Sequence, residues 1–187
     1  MKYQVILADP PWKYQNFLKA AHGASCSAYE VMTDRDIVNL PIGNIAADDA
    51  LLFLWATWPK LEIAFDCFRS WGFKYVTSPN VWVKEGKDGG PYTGIGFWTQ
   101  VDSEFVLLGR RGKGVPRKGR GGVRQVHRAR PTRKHSEKPP GLHEKIEAMI
   151  GPGHSSIELF ARSAPPDGWD ATGLEFDGVD IRDFLVR

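Results

Sequence analysis

Residues 3–12 read Tyr3-Gln4-Val5-Ile6-Leu7-Ala8-Asp9-Pro10-Pro11-Trp12. Val5 to Ala8 is a short apolar run rich in β-formers, the pattern of a strand buried on both faces of a parallel sheet. Such a strand carries Asp9 at its carboxyl end, where open α/β sheets bind ligands in the crevice between departing loops. Pro10 and Pro11 each remove a backbone donor and fix φ, so the carbonyls of Asp9 and Pro10 stay out of helix and are held extended. A carboxylate, a fixed carbonyl and the flat surface of Trp12 together suit a planar ligand that carries an amino group. The plainer alternative is a structural turn, since Asp-Pro is a common turn opener.

The chemistry that needs this arrangement is methylation of a nucleobase amine. An exocyclic amine is a poor nucleophile because its lone pair is delocalised into the ring. If Asp9 and the Pro10 carbonyl each accept one amine hydrogen, the nitrogen is drawn out of conjugation towards a methyl donor held in line. Positioning of that kind supplies roughly 7 to 11 kcal/mol of a barrier. An ordinary aspartate, with pKa about 3.9, is ionised at neutral pH, so Asp9 is read as an oriented acceptor.

Outward from this stretch the chain alternates strand and helix patterns. Lys13 to Ser27 has little periodicity and reads as a mobile loop over the site. Thr33 and Asp36 form an N-cap pair for a short helix that Pro41 stops. Ala50 to Ala56 is a second buried strand; Pro59 opens a helix with Leu61, Ala64, Phe65, Phe68 and Trp71 on one face and Gly72 at its end. Phe73 to Lys84 is extended, and Glu104 to Leu108 is the next strand. Val123 to Ala129 alternates as a further strand, Pro139 and Pro140 start a helix with the stripe Leu142, Ile146, Met149 and Ile150, Ser155 to Ala161 is a buried strand, and Gly168 to Glu175 an edge strand. Strands interleaved with helices predict an α/β fold, a mostly parallel central sheet with helices on both faces, in a single domain over 1–187.

The bulk numbers agree with one domain: 187 residues, 42% hydrophobic, seven tryptophans. There is no apolar run near the roughly 18 residues of a membrane span and no charged-then-apolar N-terminus, so a cytoplasmic protein is expected. Cys26 and Cys67 form no CxxC and the five histidines lack zinc spacing, so no metal site and reduced thiols are expected. The net charge of +3 hides an asymmetry. From Arg110 to Lys134 there are 11 Lys and Arg and no acid, against 14 basic and 22 acidic residues elsewhere. A basic, glycine-rich segment at about 109–135 is the expected footprint of a nucleic acid, with Arg117, Lys118 and Arg120 as candidate phosphate contacts; a solvated loop is the alternative.

Asp9-Pro10-Pro11-Trp12 resembles the catalytic tetrapeptide of amino methyltransferases that act on adenine. The chain as a whole resembles the relatives of the mRNA N6-adenosine methyltransferase catalytic subunit, including small bacterial and phage members. The further anchors are Tyr29 with Met32, Leu52-Phe53-Leu54-Trp55, Trp71-Gly72, Trp82-Val83-Lys84, Gly96-Phe97-Trp98, Glu104, His135-Ser136-Glu137-Lys138-Pro139 and Ile157-Glu158-Leu159-Phe160-Ala161-Arg162. This resemblance implies S-adenosylmethionine as methyl donor and a Rossmann-like fold in permuted order, the catalytic strand preceding the cofactor strand. It implies catalysis at Asp9, Pro10, Pro11 and Trp12, with Trp12 and Tyr29 at the target base.

No GxGxxG loop is present. The candidate cofactor residues are Asp9, Lys138, Glu158, Phe160, Arg162 and Glu175. Arg162 offers a planar fork of donors, Lys138 a point charge for a carboxylate, Phe160 an apolar wall and Glu175 an acceptor for ribose hydroxyls. Leu174 departs from the family, which often has Asn there. DNA is favoured over RNA as the substrate. Cytosine N4 methylation and a catalytically inactive nucleic-acid-binding module are the rival functions.

Overall fold

One strand sets the polarity of everything else. In the computed structural model, which describes residues 2–14, 31–94, 96, 98–118, 122–132 and 137–186, β1 (Tyr3–Ala8) lies within a seven-stranded sheet. It pairs in parallel with β2 (Ala46–Ala56) on one side and with β6 (Ser156–Leu159) on the other. Flanked on both edges and covered on both faces, Val5, Ile6 and Ala8 have no exposed surface. That burial is what the unbroken apolar run requires.

The sheet order is β5-β3-β4-β2-β1-β6-β7. β3 (Lys74–Lys84) and β4 (Ser103–Arg111) are antiparallel, as are β4 and β2, whereas β5 (Val126–Ala129) runs parallel to β3 and β7 (Trp169–Thr172) parallel to β6. Only β4 is therefore reversed. Its first residues arrive at the edge where β1, β2, β3 and β6 end, and its last residues leave at the opposite edge.

Helices cover both faces. Ile37 of α1 (Asp34–Val38), Ala64, Cys67 and Phe68 of α2 (Leu61–Ser70), and Ile181 and Leu185 of α4 (Ile181–Leu185) pack on the side that carries Ile6, Leu52, Leu54 and Phe105. Leu142, Ile146 and Ile150 of α3 (Leu142–Ile150) pack on the side of Val5, Leu7, Phe53 and Trp55. Fully burying one such side chain contributes roughly 1.5–3 kcal/mol. Local signals agree with this packing. Thr33 caps α1 by accepting the Asp36 N–H at 3.1 Å, and Gly72, at φ 81°, ends α2 in a conformation that suits only glycine. Trp71 donates its indole N–H to the Ile37 carbonyl at 3.2 Å and so ties α1 to α2.

The differences from the sequence reading lie in strand ends and short pieces. β2 begins at Ala46, because backbone pairing continues past exposed Asp48 and Asp49, and β4 runs on to Arg111. The candidate strand over 123–129 is the four-residue edge strand β5. Helix α4, a single turn capped by the Asp180 carboxylate, had too few residues for a periodic signal. The loop expected over Lys13 to Ser27 falls from residue 15 onward outside the described residues.

Gly109 shows how closely α2 sits on β4. A Cβ there would lie 2.5 and 2.6 Å from ring carbons of the buried Phe68 and 3.2 Å from the Cβ of Phe73. Gly109→Ala should lower stability by about 1–3 kcal/mol through overpacking. Urea unfolding with an unchanged slope and a lower midpoint is the expected result.

Candidate active site

Asp9 continues β1 by one residue, and its N–H points to the Leu159 carbonyl at 3.5 Å. The two prolines then turn the chain. The Pro10 carbonyl accepts the Trp12 N–H at 2.8 Å, a three-residue turn, and the Pro11 carbonyl accepts the Met32 N–H at 3.1 Å. A carbonyl oxygen has two lone pairs, so Pro10 keeps one acceptor direction for a ligand.

Four charged side chains meet beside this turn in alternating sign. The Lys138 ammonium lies 2.8 Å from Asp9 Oδ2 and 3.4 Å from Glu104 Oε2, and Lys84 Nζ lies 2.6 Å from Glu104 Oε1. Each of the four is less than a fifth exposed. Trp55 and Trp82 floor the chain of charges: Lys138 lies 5.4 Å over the Trp55 ring, Lys84 4.9 Å over Trp82, and the two indoles meet edge to face at 6.5 Å. Cations over aromatic faces gain roughly 0.5–2 kcal/mol, more as water is excluded. Strand register explains the meeting. Trp82 opposes Glu104 across β3 and β4, and Lys84 is two residues further along the same face.

Burial without pairing would neutralise such groups. Burial pulls the Lys138 ammonium towards deprotonation, but Asp9 and Glu104 outweigh it and hold the lysine charged. For Glu104, burial is likewise outweighed, here by Lys138 and Lys84, so its carboxyl titrates below its ordinary range. Asp9 differs. Burial raises its pKa, Lys138 only partly opposes that, and the neighbouring Glu104 and Glu158 charges raise it further. Asp9 is thus more basic than an ordinary aspartate, whereas Glu104 is less basic than an ordinary glutamate.

Trp12 does not offer the flat surface expected of it. It is 4% exposed, packs in the core with Ile37 and Leu54, and donates its indole N–H to the Trp55 carbonyl at 3.2 Å. Its role here is to anchor the turn to β2. Tyr14, which the sequence reading did not single out, stands at the site instead. Its hydroxyl lies 2.8 Å from Thr57 Oγ1.

On the β6 side, Phe160 has φ 62°, a left-handed conformation that costs a non-glycine residue roughly 1–3 kcal/mol. Arg162 and Glu175 face each other in a two-pronged ion pair of 2.8 and 3.0 Å. Both stand at the same sheet edge as Asp9. Glu158 is turned to the α3 face, where its carboxylate lies 2.8 Å from His143 Nε2.

Tyr29 and Arg120 lie outside the described residues. Arg117 and Lys118 are exposed but stand away from Asp9, because β4 leaves at the opposite edge and the Lys118 N–H bonds the Met149 carbonyl, at the end of α3 far from Lys138. Of the basic segment, the exposed Arg128 and Arg130 return to the Asp9 edge along β5. Glu104, Lys84 and Tyr14 are the site residues missing from the sequence-based set. Alternation with buried Phe105 and Leu107 marks Glu104 as facing away from them, but only the reversed direction of β4 brings it to Asp9.

Residues 3–175 match the MT-A70 family. The chain belongs to the MT-A70 family. It is 36% identical over 193 residues to the type II methyltransferase M.MunI of Mycoplasma sp, an alignment covering 93% of this chain and 78% of that protein. It is 31% identical over 186 residues to the human N(6)-adenosine-methyltransferase catalytic subunit METTL3, covering 97% of this chain and 30% of that protein. The Drosophila melanogaster N(6)-adenosine-methyltransferase MT-A70-like protein matches at 31%, over 97% of this chain and 28% of its own length. The chain thus spans most of the M.MunI relative and under a third of the longer ones.

The charge chain of this MT-A70 member predicts its own titration. Followed by carbon NMR of labelled aspartates, the Asp9 carboxyl should titrate above the ordinary value of about 3.9. Lys138→Met removes the group that lowers Asp9, so the midpoint should rise further. A midpoint at or below the ordinary value in both proteins contradicts this electrostatic reading.

Proposed function

We propose that this protein transfers a methyl group from S-adenosylmethionine to the exocyclic N6 amine of adenine in DNA. The observation that carries the reading is Asp9: a carboxylate made basic by burial, at the carboxyl end of a central strand, beside a proline-fixed carbonyl, in an MT-A70 chain. It is an N6-adenine methyltransferase by family. The DNA assignment is supported by the M.MunI relative, a type II methyltransferase matched over most of its length. What the longer relatives do with the parts this chain does not match is not carried over. The order in which β1 precedes β6 accords with the permuted Rossmann-like arrangement. Among the described residues no helix is long and apolar enough to cross a membrane.

The donor set suits S-adenosylmethionine. Lys138 is a cation for its carboxylate, Asp9 and Glu158 are carboxylates for its ammonium and sulfonium charges, and Phe160, Arg162 and Glu175 supply an apolar wall and polar groups for the nucleoside half. When bound, the cofactor supplies an electrophilic methyl group. The rest is done by the chain. Asp9 and the Pro10 carbonyl accept the two amine hydrogens and localise the nitrogen lone pair. The raised pKa of Asp9 then suits it to take the proton that the methylated nitrogen must lose. Lys138 keeps Asp9 oriented, and Glu104 with Lys84 keeps Lys138 in place.

Purified protein, labelled S-adenosylmethionine and DNA and RNA from a host lacking adenine methylation give the test, read by nucleoside mass spectrometry. N6-methyladenine in DNA is expected; N4-methylcytosine, or methylation of RNA alone, contradicts the assignment. Asp9→Ala should stay folded and lose about 10²–10³ in rate, the typical loss for a positioned transition-state contact. Lys138→Ala and Arg162→Ala should weaken S-adenosylmethionine binding in calorimetry without DNA. Parent-like affinity in both would move the cofactor site elsewhere.

A further inference from the structure

With Trp12 buried, the surface on which DNA bases stack has to be found elsewhere on the Asp9 edge. Among the described residues four aromatic side chains are exposed there: Tyr14 at 38%, Trp58 at 54%, Trp98 at 99% and, next to Glu175 on the β7 side, Phe176 at 38%. A single exposed aromatic needs no explanation. Trp58 differs because it is both open and fixed. It follows Thr57 at the carboxyl end of β2, its indole N–H donates to Ser103 Oγ at 3.1 Å, and its ring lies 4.5 Å from that of the buried Phe105. One side of the indole is thus committed to β4, while about half the residue remains open to solvent. A side chain already held in one orientation loses little entropy when a ligand stacks on it.

Its neighbours place it at the same sheet edge as the amine-binding turn. Ser103 precedes Glu104, the partner of Lys138, and Thr57 is bonded to Tyr14. Lys60, two residues past Trp58, lies 5.4 Å over the Tyr14 ring and is itself paired with Asp34 at 2.7 Å. Trp58 therefore stands at the same sheet edge as the charged chain, but on the Phe105 side of β4, the face opposite Glu104. Arg128 and Arg130, at the same edge, add positive charge for the phosphates that accompany a base.

We infer that Trp58 is the stacking platform for the base next to the target adenine in the DNA strand. The inference rests on the reading of the protein as a DNA adenine methyltransferase. Extrusion of the target leaves its neighbour partly unstacked, and an aromatic face offered to that neighbour offsets part of the loss. Every base has a π-face, so the contact adds affinity with little sequence choice.

Sequencing DNA methylated by the parent protein gives the target sequence, and single-stranded oligonucleotides carrying it, with and without an abasic site beside the adenine, are the probes. Binding is read by fluorescence anisotropy over a range of salt. Trp58→Ala should weaken binding about ten- to hundredfold, as loss of one base–aromatic stack does, while Trp58→Phe recovers most of it. KM for DNA should rise more than kcat falls. The parent should lose similar affinity for the abasic probe, to which Trp58→Ala should be nearly indifferent. Salt dependence should keep its slope, since no charge is removed. Melting temperature and S-adenosylmethionine binding report that the variants are folded. Affinity of Trp58→Ala within twofold of the parent, equal sensitivity of both to the abasic site, or a changed salt slope overturns the inference. If the parent methylates DNA and Trp58→Ala binds normally, the inference alone fails; if the parent methylates no DNA, the functional reading fails and the inference with it.

Discussion

Four charges share a small, partly buried space at the edge of the sheet, and the structure depends on their being paired. Removing an inner member, Lys138 or Glu104, leaves an end member desolvated and unmatched, at a cost of about 3–5 kcal/mol when burial is deep. The sequence Asp9–Lys138–Glu104–Lys84 meets the constraint by alternation: each inner member has two opposite neighbours and each end member has one. The arrangement is asymmetric in its effect. Glu104, between two lysines, is held ionised despite its burial, whereas Asp9 is pushed towards the neutral form by burial, which its one lysine only partly opposes and two nearby carboxylates reinforce. An ordinary aspartate is thereby made more basic by placement alone.

The fold exists around that placement. β1 delivers Asp9, β3 delivers Lys84, and the reversed β4 delivers Glu104 from the opposite direction. Lys138 comes from just before α3, the helix that covers this face of the sheet. Phe160, Arg162 and Glu175 reach the same edge from β6 and β7. The Arg162–Glu175 ion pair is only partly shielded, so opening it towards a ligand costs little, in contrast to the buried charges next door.

Much of this was legible in the chain. The apolar run of β1 ending in Asp9, the capped start of α1, the amphipathic stripe of α2 closed by Gly72 and the stripe of α3 are local signals, and the structure follows them. What local signals do not carry is direction. The antiparallel setting of β4 decides both that Glu104 reaches Asp9 and that Arg117 and Lys118 leave at the far edge, and no pattern within residues 103–118 encodes it. Trp12 illustrates a related limit: an indole beside a carboxylate at a strand end reads equally as a ligand surface or as a core anchor, and only the position of the Trp55 carbonyl decides. Glu104 and Lys84 enter the sequence reading only as anchors of the family resemblance and not as site residues, because their meeting with Asp9 and Lys138 depends on two strands running in opposite senses.

In the proposed reaction, turnover requires Asp9 in its ionised form, in a setting that makes ionisation harder than usual. The most direct measurement is the single-turnover rate of methyl transfer to DNA as a function of pH, with cofactor and DNA saturating at every point. The account predicts a rate that falls on acidification through a midpoint above the ordinary aspartate value and levels off at higher pH. A rate that stays level down to about pH 4, where an unperturbed aspartate would still be about half ionised, would contradict it.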